Sequence, residues 1–454
     1  MAYKSLKAIN LPFDLVRAED INKGCLEGYR MLFVPGGWAS NKLKALGERG
    51  IKEIKSFVCE GGNYFGICGG AGLATLDGIG LLHIKRKPTK ERVPSFSGRI
   101  KLNISEHPIF SNMQPQKSTV TTQQPTEIIS KQSVVISGQS IERTRNTDTD
   151  NGICLQPSVL SLSSAFSLQP IFYAWWPSQF VVSNNDIKVI ATFDEPLPDS
   201  FSSDLNVEDV EANGGWKELE TFYGINLDPK RLIGEPAVVE GHYGKGKVFL
   251  SLIHFDTPDD RNSAHVLKNI WHYLSQQSEI NSHKKSLVNS YQSTVNRTDR
   301  DNEIHHFSLL PISLSLMREV EELINFGIRN FLWYWRTPML LQWRRGVRGL
   351  EYCTLYVMIK EIVEILNTKK EVQNIDLDLN SIKEQLTSFI EKSKNLLILE
   401  RYAMHYEHIT YEKCFDPKIQ QMRLELFGNS KSHGGFFKLL IDKIDAILFR
   451  LLDS

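Results

Sequence analysis

The sequence predicts an α/β domain built on a doubly wound parallel sheet, followed by an all-helical C-terminal domain. Three observations carry this reading. Strand and helix patterns alternate through the first third of the chain, which implies parallel strands joined by right-handed crossovers. Glycine pairs punctuate that region, as at Gly36-Gly37 and Gly61-Gly62. Beyond residue 309, long stripes of Leu, Ile and Phe recur at helical spacing. The chain has 454 residues, 41% hydrophobic and 23% charged, which is globular composition with material for more than one core.

Taken in order, residues 14–18 read as a short strand and 29–34 as a buried strand running into Pro35-Gly36-Gly37. Residues 42–60 have helical periodicity, with Leu43, Leu46, Ile51, Ile54, Phe57 and Val58 near one face, and Gly61-Gly62 ends that helix. A strand over 63–67 and a helix over 69–76 follow. Residues 112–167 are rich in Ser, Thr, Gln and Asn, and read as a low-complexity insertion too polar to bury a core of its own. Residues 196–226, acidic and glycine-containing, read as a long surface loop. Between these two stretches, 171–176 and 187–193 resume the strand pattern. A late buried strand over 246–253 and a helix over 263–273 close a first domain of residues 1–275. Residues 276–306 are polar, almost without aliphatic side chains, and read as a linker. In the second domain, 307–454, helical patterns cover about 313–336, 339–368, 379–412 and 434–452, with Pro338 separating the first pair.

Charge and cysteine usage narrow the function classes. Lys+Arg and Asp+Glu are both 53, so there is no basic excess of the kind a nonspecific nucleic-acid binder needs. Six scattered cysteines do not make a disulfide framework and fit a reducing compartment. The N-terminal residues lack the apolar core of a signal peptide. The longest apolar stretch, 323–343, is broken by Arg329 and Arg336, so no transmembrane segment is expected. A cytoplasmic location is the expectation. No P-loop or dinucleotide fingerprint is present, and no cofactor or metal is expected. His405 and His408, spaced for one helix face with Cys414 nearby, lack a clear fourth ligand and read as polar helix surface.

The most specific local signal is Gly66-Ile67-Cys68-Gly69-Gly70, set between a strand and a helix. This is the spacing of a nucleophile elbow, in which a sharp turn lifts a reactive side chain above the sheet. The following helix N-terminus favours thiolate. A thiolate nucleophile needs a base held by a third group. His254 ends a strand, and Asp256, two residues on, falls on the same side of an extended chain, where it can orient the imidazole. Both sites lie at carboxyl ends of strands, where such sheets handle ligands. Gly37 and Gly69 are candidates for an oxyanion hole through their amides, although a plain β-to-α turn at Gly37 has the same sequence.

Three segments together carry a resemblance: 33–37 (FVPGG), 61–71 (GGNYFGICGGA), and 244–256, which starts GKGKV and ends HFD. They resemble the class I glutamine amidotransferase-like superfamily, and most closely the domain found at the N-terminus of biotin–protein ligases and its free-standing bacterial relatives. Residues 107–110 and 171–180 also look like segments of that domain. The resemblance covers roughly residues 1–275 and implies a flavodoxin-like sheet with a Cys68–His254–Asp256 triad. The family opens with a strand and a Gly-rich loop. Here residues 3–10 read as the helix that follows them, so the sheet is expected to lack its first strand. The acid is Asp256 where glutamine amidotransferases usually carry Glu. Nothing downstream resembles the ligase's glycine-rich loop or biotin pocket, so biotin ligation is not expected. Two functions follow as expectations. One is a cysteine hydrolase acting on a small-molecule amide or acyl bond. The other is an inactive binding or regulatory module whose helical half mediates self-association or binds a protein partner.

Overall fold

The computed structural model describes residues 1–113, 169–275, 302–368, 376–407, 409–411, 413–429 and 433–453. Nearly all of the 112–167 insertion and most of the 276–306 linker lie outside the described residues, as do Cys154 and His408.

A nine-stranded sheet forms the centre of the α/β half. Its order runs Met31–Val34, Asn63–Ile67, Gly246–Ser251, Pro236–Tyr243, Lys188–Pro196, Phe96–Ile104, Phe201–Ser202 and Leu205–Asn206, and Ile171–Trp175 also pairs with Phe96–Ile104. Asn63–Ile67 is parallel to both of its neighbours. Register there is held by an aromatic row, since Phe33 and Phe249 both align with Phe65, with ring centroids 4.6 Å and 5.8 Å apart. The helix Ala39–Cys59 supplies the crossover between the parallel strands Met31–Val34 and Asn63–Ile67. The α/β class therefore holds, with one difference: beyond Gly246–Ser251 every pairing is antiparallel. The reason is connection length. Pro236–Tyr243 returns to Gly246–Ser251 through Gly244 and Lys245 alone, and Gly244 takes φ +60°, the conformation a tight hairpin needs.

Two local expectations are corrected. Residues 14–18 are not a strand; they lead into the helix Ala18–Asn22. The Arg17 N–H donates to Asp20 Oδ2 at 2.9 Å, so a local helix cap satisfies the backbone that a ladder would have used. Residues 196–226 are not a loop; they contain two short strands and the helices Val207–Asn213 and Trp216–Tyr223. Their polar residues and glycines are punctuation of those elements. Asn206 Oδ1 accepts from the Asp209 N–H, and Gly224 ends the second helix in the left-handed conformation.

The C-terminal half is helical, with Asn302–Arg329, Gly349–Thr368, Asp376–Ala403, Pro417–Phe427 and Gly435–Asp453 around a core of its own. Between the first two helices the expected helical pattern gives way to a hairpin, Trp333–Thr337 with Leu340–Trp343. Pro338 sits in its turn. Burial follows the ladder: Trp333 is buried, its neighbour Tyr334 is exposed, and Trp335 pairs with the buried Leu341. The hairpin packs on the α/β half, where the Arg336 guanidinium donates to Ser97 Oγ at 2.9 Å and to the Ser97 carbonyl at 3.2 Å. Among the described residues no helix is long and apolar enough to cross a membrane.

Candidate active site

The strand Asn63–Ile67 ends at Cys68, whose φ is +50° and ψ −105°, and the helix Gly69–Leu73 starts on the next residue. A non-glycine residue in this conformation costs roughly 1–3 kcal/mol and is kept where the surroundings enforce it. Here they do. The Cys68 N–H donates to the Ser251 carbonyl at 2.8 Å, extending the parallel ladder past the strand end, and its own carbonyl accepts from Gly72. The neighbouring glycines are obligatory for a steric reason. A Cβ on Gly69 would lie 1.6 Å from the Gly37 carbonyl oxygen, and one on Gly70 would lie 1.9 Å from that of Val34. The turn that ends Met31–Val34 is thus pressed directly onto the elbow, which places Gly37 against Gly69.

His254 lies just past the next parallel strand, Gly246–Ser251, and its N–H donates to the Tyr173 carbonyl at 2.9 Å. Its Nδ1 is 2.9 Å from Asp256 Oδ1, and both side chains are buried. Ser5 Oγ in turn donates to the Asp256 carbonyl at 2.8 Å. With Nδ1 committed to the carboxylate, Nε2 remains, buried and without a hydrogen-bond partner among the described residues. Cys68 and the imidazole share one wall. A Cβ on Gly36 would lie 3.6 Å from Cys68 Cβ, 3.1 Å from His254 Cε1 and 3.9 Å from its Nε2. Cys68 Sγ also approaches the Trp175 carbonyl at 3.8 Å.

The electrostatics couple these groups. Burial disfavours the Cys68 thiolate, but the adjacent His254 outweighs it, with help from the Gly69 amide, and the thiol is held below its ordinary value. Burial likewise opposes a charged His254, and Asp256 overrides it, raising the imidazole to about 10. Asp256 is held low because the His254 charge overcomes the cost of burial. Both shifts run toward the ionised forms of Cys68 and His254, and the Cys68 side chain is partly exposed.

All five residues singled out from the sequence, Cys68, His254, Asp256, Gly37 and Gly69, come to one edge of the sheet. Sequence reasoning missed Ser5 and two cations, Lys42 and Arg92, on which the Cys68 charge acts. None of the three carries a local motif. The helix expected behind Cys68 is shorter than its pattern, Gly69–Leu73 rather than 69–76, so neighbouring side chains rather than a long helix dipole dominate the thiol. His405 falls in a turn after Asp376–Ala403. Among the described residues no group of three or more His, Cys, Asp or Glu side chains is placed to hold a metal ion.

Residues 17–77 match the family described as "Biotin-protein ligase, N terminal". That span contains Gly36, Gly37, Cys68 and Gly69, and stops short of His254 and Asp256. No curated protein matches the chain. A solved structure titled "Crystal structure of glutamine amidotransferase" aligns over 60% of this chain and 90% of its own, at 16% identity and a TM-score of 0.30. The chain thus resembles the biotin–protein ligase N-terminal family across its elbow segment.

Proposed function

We propose that the α/β half is an amidotransferase-like cysteine hydrolase acting on an amide or related acyl bond. The observation that carries this reading is the convergence of Cys68, at a strained elbow, with the Asp256-bound imidazole of His254. Cys68 Sγ attacks the acyl carbon. The Gly69 N–H, with that of Gly37, receives the developing oxyanion. His254 Nε2 passes a proton to the leaving amine, and Asp256 keeps the ring in the required tautomer and orientation. Water then attacks the thioester, with His254 as base, and releases the acid and the free thiol.

Alkylation tests the reading without knowledge of the substrate. Iodoacetamide at neutral pH should modify Cys68 before the exposed Cys59 and the other thiols. His254→Gln should slow Cys68 selectively by about 10-fold or more. Labelling of Cys68 no faster than Cys59, and indifferent to that substitution, would instead leave an inert binding module.

A further inference from the structure

The strand Ile171–Trp175 meets the candidate site through its carbonyls and the helical half through its side chains. The Tyr173 carbonyl accepts from the His254 N–H at 2.9 Å, and the Trp175 carbonyl lies 3.8 Å from Cys68 Sγ. Backbone groups two residues apart face the same strand edge, so base and nucleophile are both referred to one edge of one short strand. The opposite edge pairs with Phe96–Ile104, which sets Trp175 across from Ser97. The rings of Tyr173 and Trp175 stack, with centroids 5.0 Å apart and planes 19° from parallel. Against that stack lies Arg336, from the hairpin Trp333–Thr337 of the helical half. Its guanidinium is 5.5 Å from the Trp175 ring centroid and 4.5 Å from that of Phe201, within cation–π reach of both. It also donates to Ser97 Oγ at 2.9 Å, to the Ser97 carbonyl at 3.2 Å and to Gln342 Oε1 at 3.2 Å. One side chain thus grips both members of the Ser97–Trp175 pair. Trp343, on the second strand of the same hairpin, meets Trp176 with ring centroids 5.8 Å apart.

We infer that Arg336 is a positioning residue for the Cys68 site: it clamps the strand Ile171–Trp175, whose carbonyls seat the sulfur and tether the base, so that the helical half supports the reacting pair of the α/β half. The planar fork explains why an arginine stands there, since a flat cation can lie on aromatic rings while its N–H groups reach Ser97 in a fixed direction. Relaxing the clamp frees the strand to shift, and with it the approach of His254 to Cys68. The assignment rests on the proposed Cys68 chemistry for its meaning, and its test separates the two.

The test is the pH profile of Cys68 alkylation by iodoacetamide in the full-length chain, with thermal unfolding to confirm that each variant is folded. His254 lowers the Cys68 thiol, so loosening its tether should raise the midpoint of that profile. Arg336→Gln should raise it by about one pH unit, slowing labelling on the rising limb about 10-fold. Arg336→Lys keeps the charge but loses the fork, and should raise the midpoint by about half a unit, or about 3-fold in rate. It carries the test if Arg336→Gln does not fold. Arg17→Ala cuts a different contact between the halves, on Asp445 and Phe449, and should leave the midpoint unchanged. The charges coupled to Cys68, those of His254, Asp256, Lys42 and Arg92, remain in every variant. An unmoved midpoint in a folded Arg336 variant, wild-type behaviour of Arg336→Lys included, would overturn the assignment. So would an equal shift in Arg17→Ala, which would mean general loosening. A failure of the nucleophile reading shows up elsewhere, in wild-type protein whose Cys68 labels no faster than Cys59.

Discussion

At Cys68 the chain holds a φ of +50°, and the cost is met by contacts that only this turn can make. Gly36 faces the base directly, because a Cβ there would lie 3.1 Å from His254 Cε1. Gly36→Ala should therefore leave the fold intact and displace His254, slowing iodoacetamide labelling of Cys68 several-fold at pH 7 while the unfolding temperature moves little. The buried pair makes a separate prediction. The Asp256 carboxyl is depressed in the folded state, so its contribution is present above its ordinary value of 3.8 and is lost as pH falls through the folded value. The His254 imidazole is raised to about 10, so its contribution is full below 6.5 and is lost as pH climbs toward 10. The stabilisation should be largest between those limits. Asp256→Asn should cost about 2 kcal/mol near pH 6, with the difference from wild type shrinking at more alkaline pH, as measured by denaturant unfolding across pH.

Among the elements, the elbow and the helical half place different demands on single residues. Gly69→Ala would drive a methyl into the Gly37 carbonyl at 1.6 Å, so the two turns would have to separate. A loss of about 2–4 kcal/mol is expected in equilibrium unfolding, together with loss of selective Cys68 labelling. In the helical half, the Arg423 guanidinium is buried against Glu400 at 2.7 Å, and also donates to the carbonyls of Thr410, Tyr411 and Gly346. It ties Pro417–Phe427 to Asp376–Ala403 and to the turn before Gly349–Thr368. Arg423→Met removes one partner and leaves Glu400 buried, which should cost about 3–5 kcal/mol in unfolding free energy. Helix, strand and hairpin were unequally legible in sequence. The 63–67 strand and its elbow follow directly from an apolar run stopped by glycines. The Trp333–Thr337 hairpin did not, because a short aromatic run with arginines on either side satisfies a period of two and a period of 3.6 nearly equally.

Across the whole molecule, two hydrophobic cores lie on either side of residues 276–301, one built on the sheet and one among the C-terminal helices. The last helix shows how the second is built: Leu440, Ile444, Ile447 and Leu451 are all buried, while Leu439 is not. We propose that residues 307–454 fold as a domain with its own stability. Limited proteolysis should cut first within the polar stretches 276–306 or 112–167 and release a helical fragment that resists further cleavage. Early cleavage throughout 310–450 would show that this half has no independent stability. The halves also meet through Lys4 on Glu361 and Glu364, Arg17 on Asp445 and Phe449, Arg336 on Ser97, Arg345 on Asp204 and the Trp176–Trp343 ring pair.

The sequence alone determined the α/β class, the elbow at Cys68 and the helical character of the C-terminal half, because each is written in short-range patterns of glycine and apolar residues. It also marked His254 and Asp256, since their spacing of two on an extended segment already places both side chains on one side. The tertiary structure decided what lies between distant segments. It made the sheet mixed rather than parallel, turned 14–18 into the lead of a helix, and brought Gly36, the His254 imidazole and the Trp175 carbonyl around Cys68. Those three belong to a turn, a segment just past a strand and a strand end far apart in the chain. Their meeting depends on crossover and strand order, which long-range packing sets and no local pattern encodes.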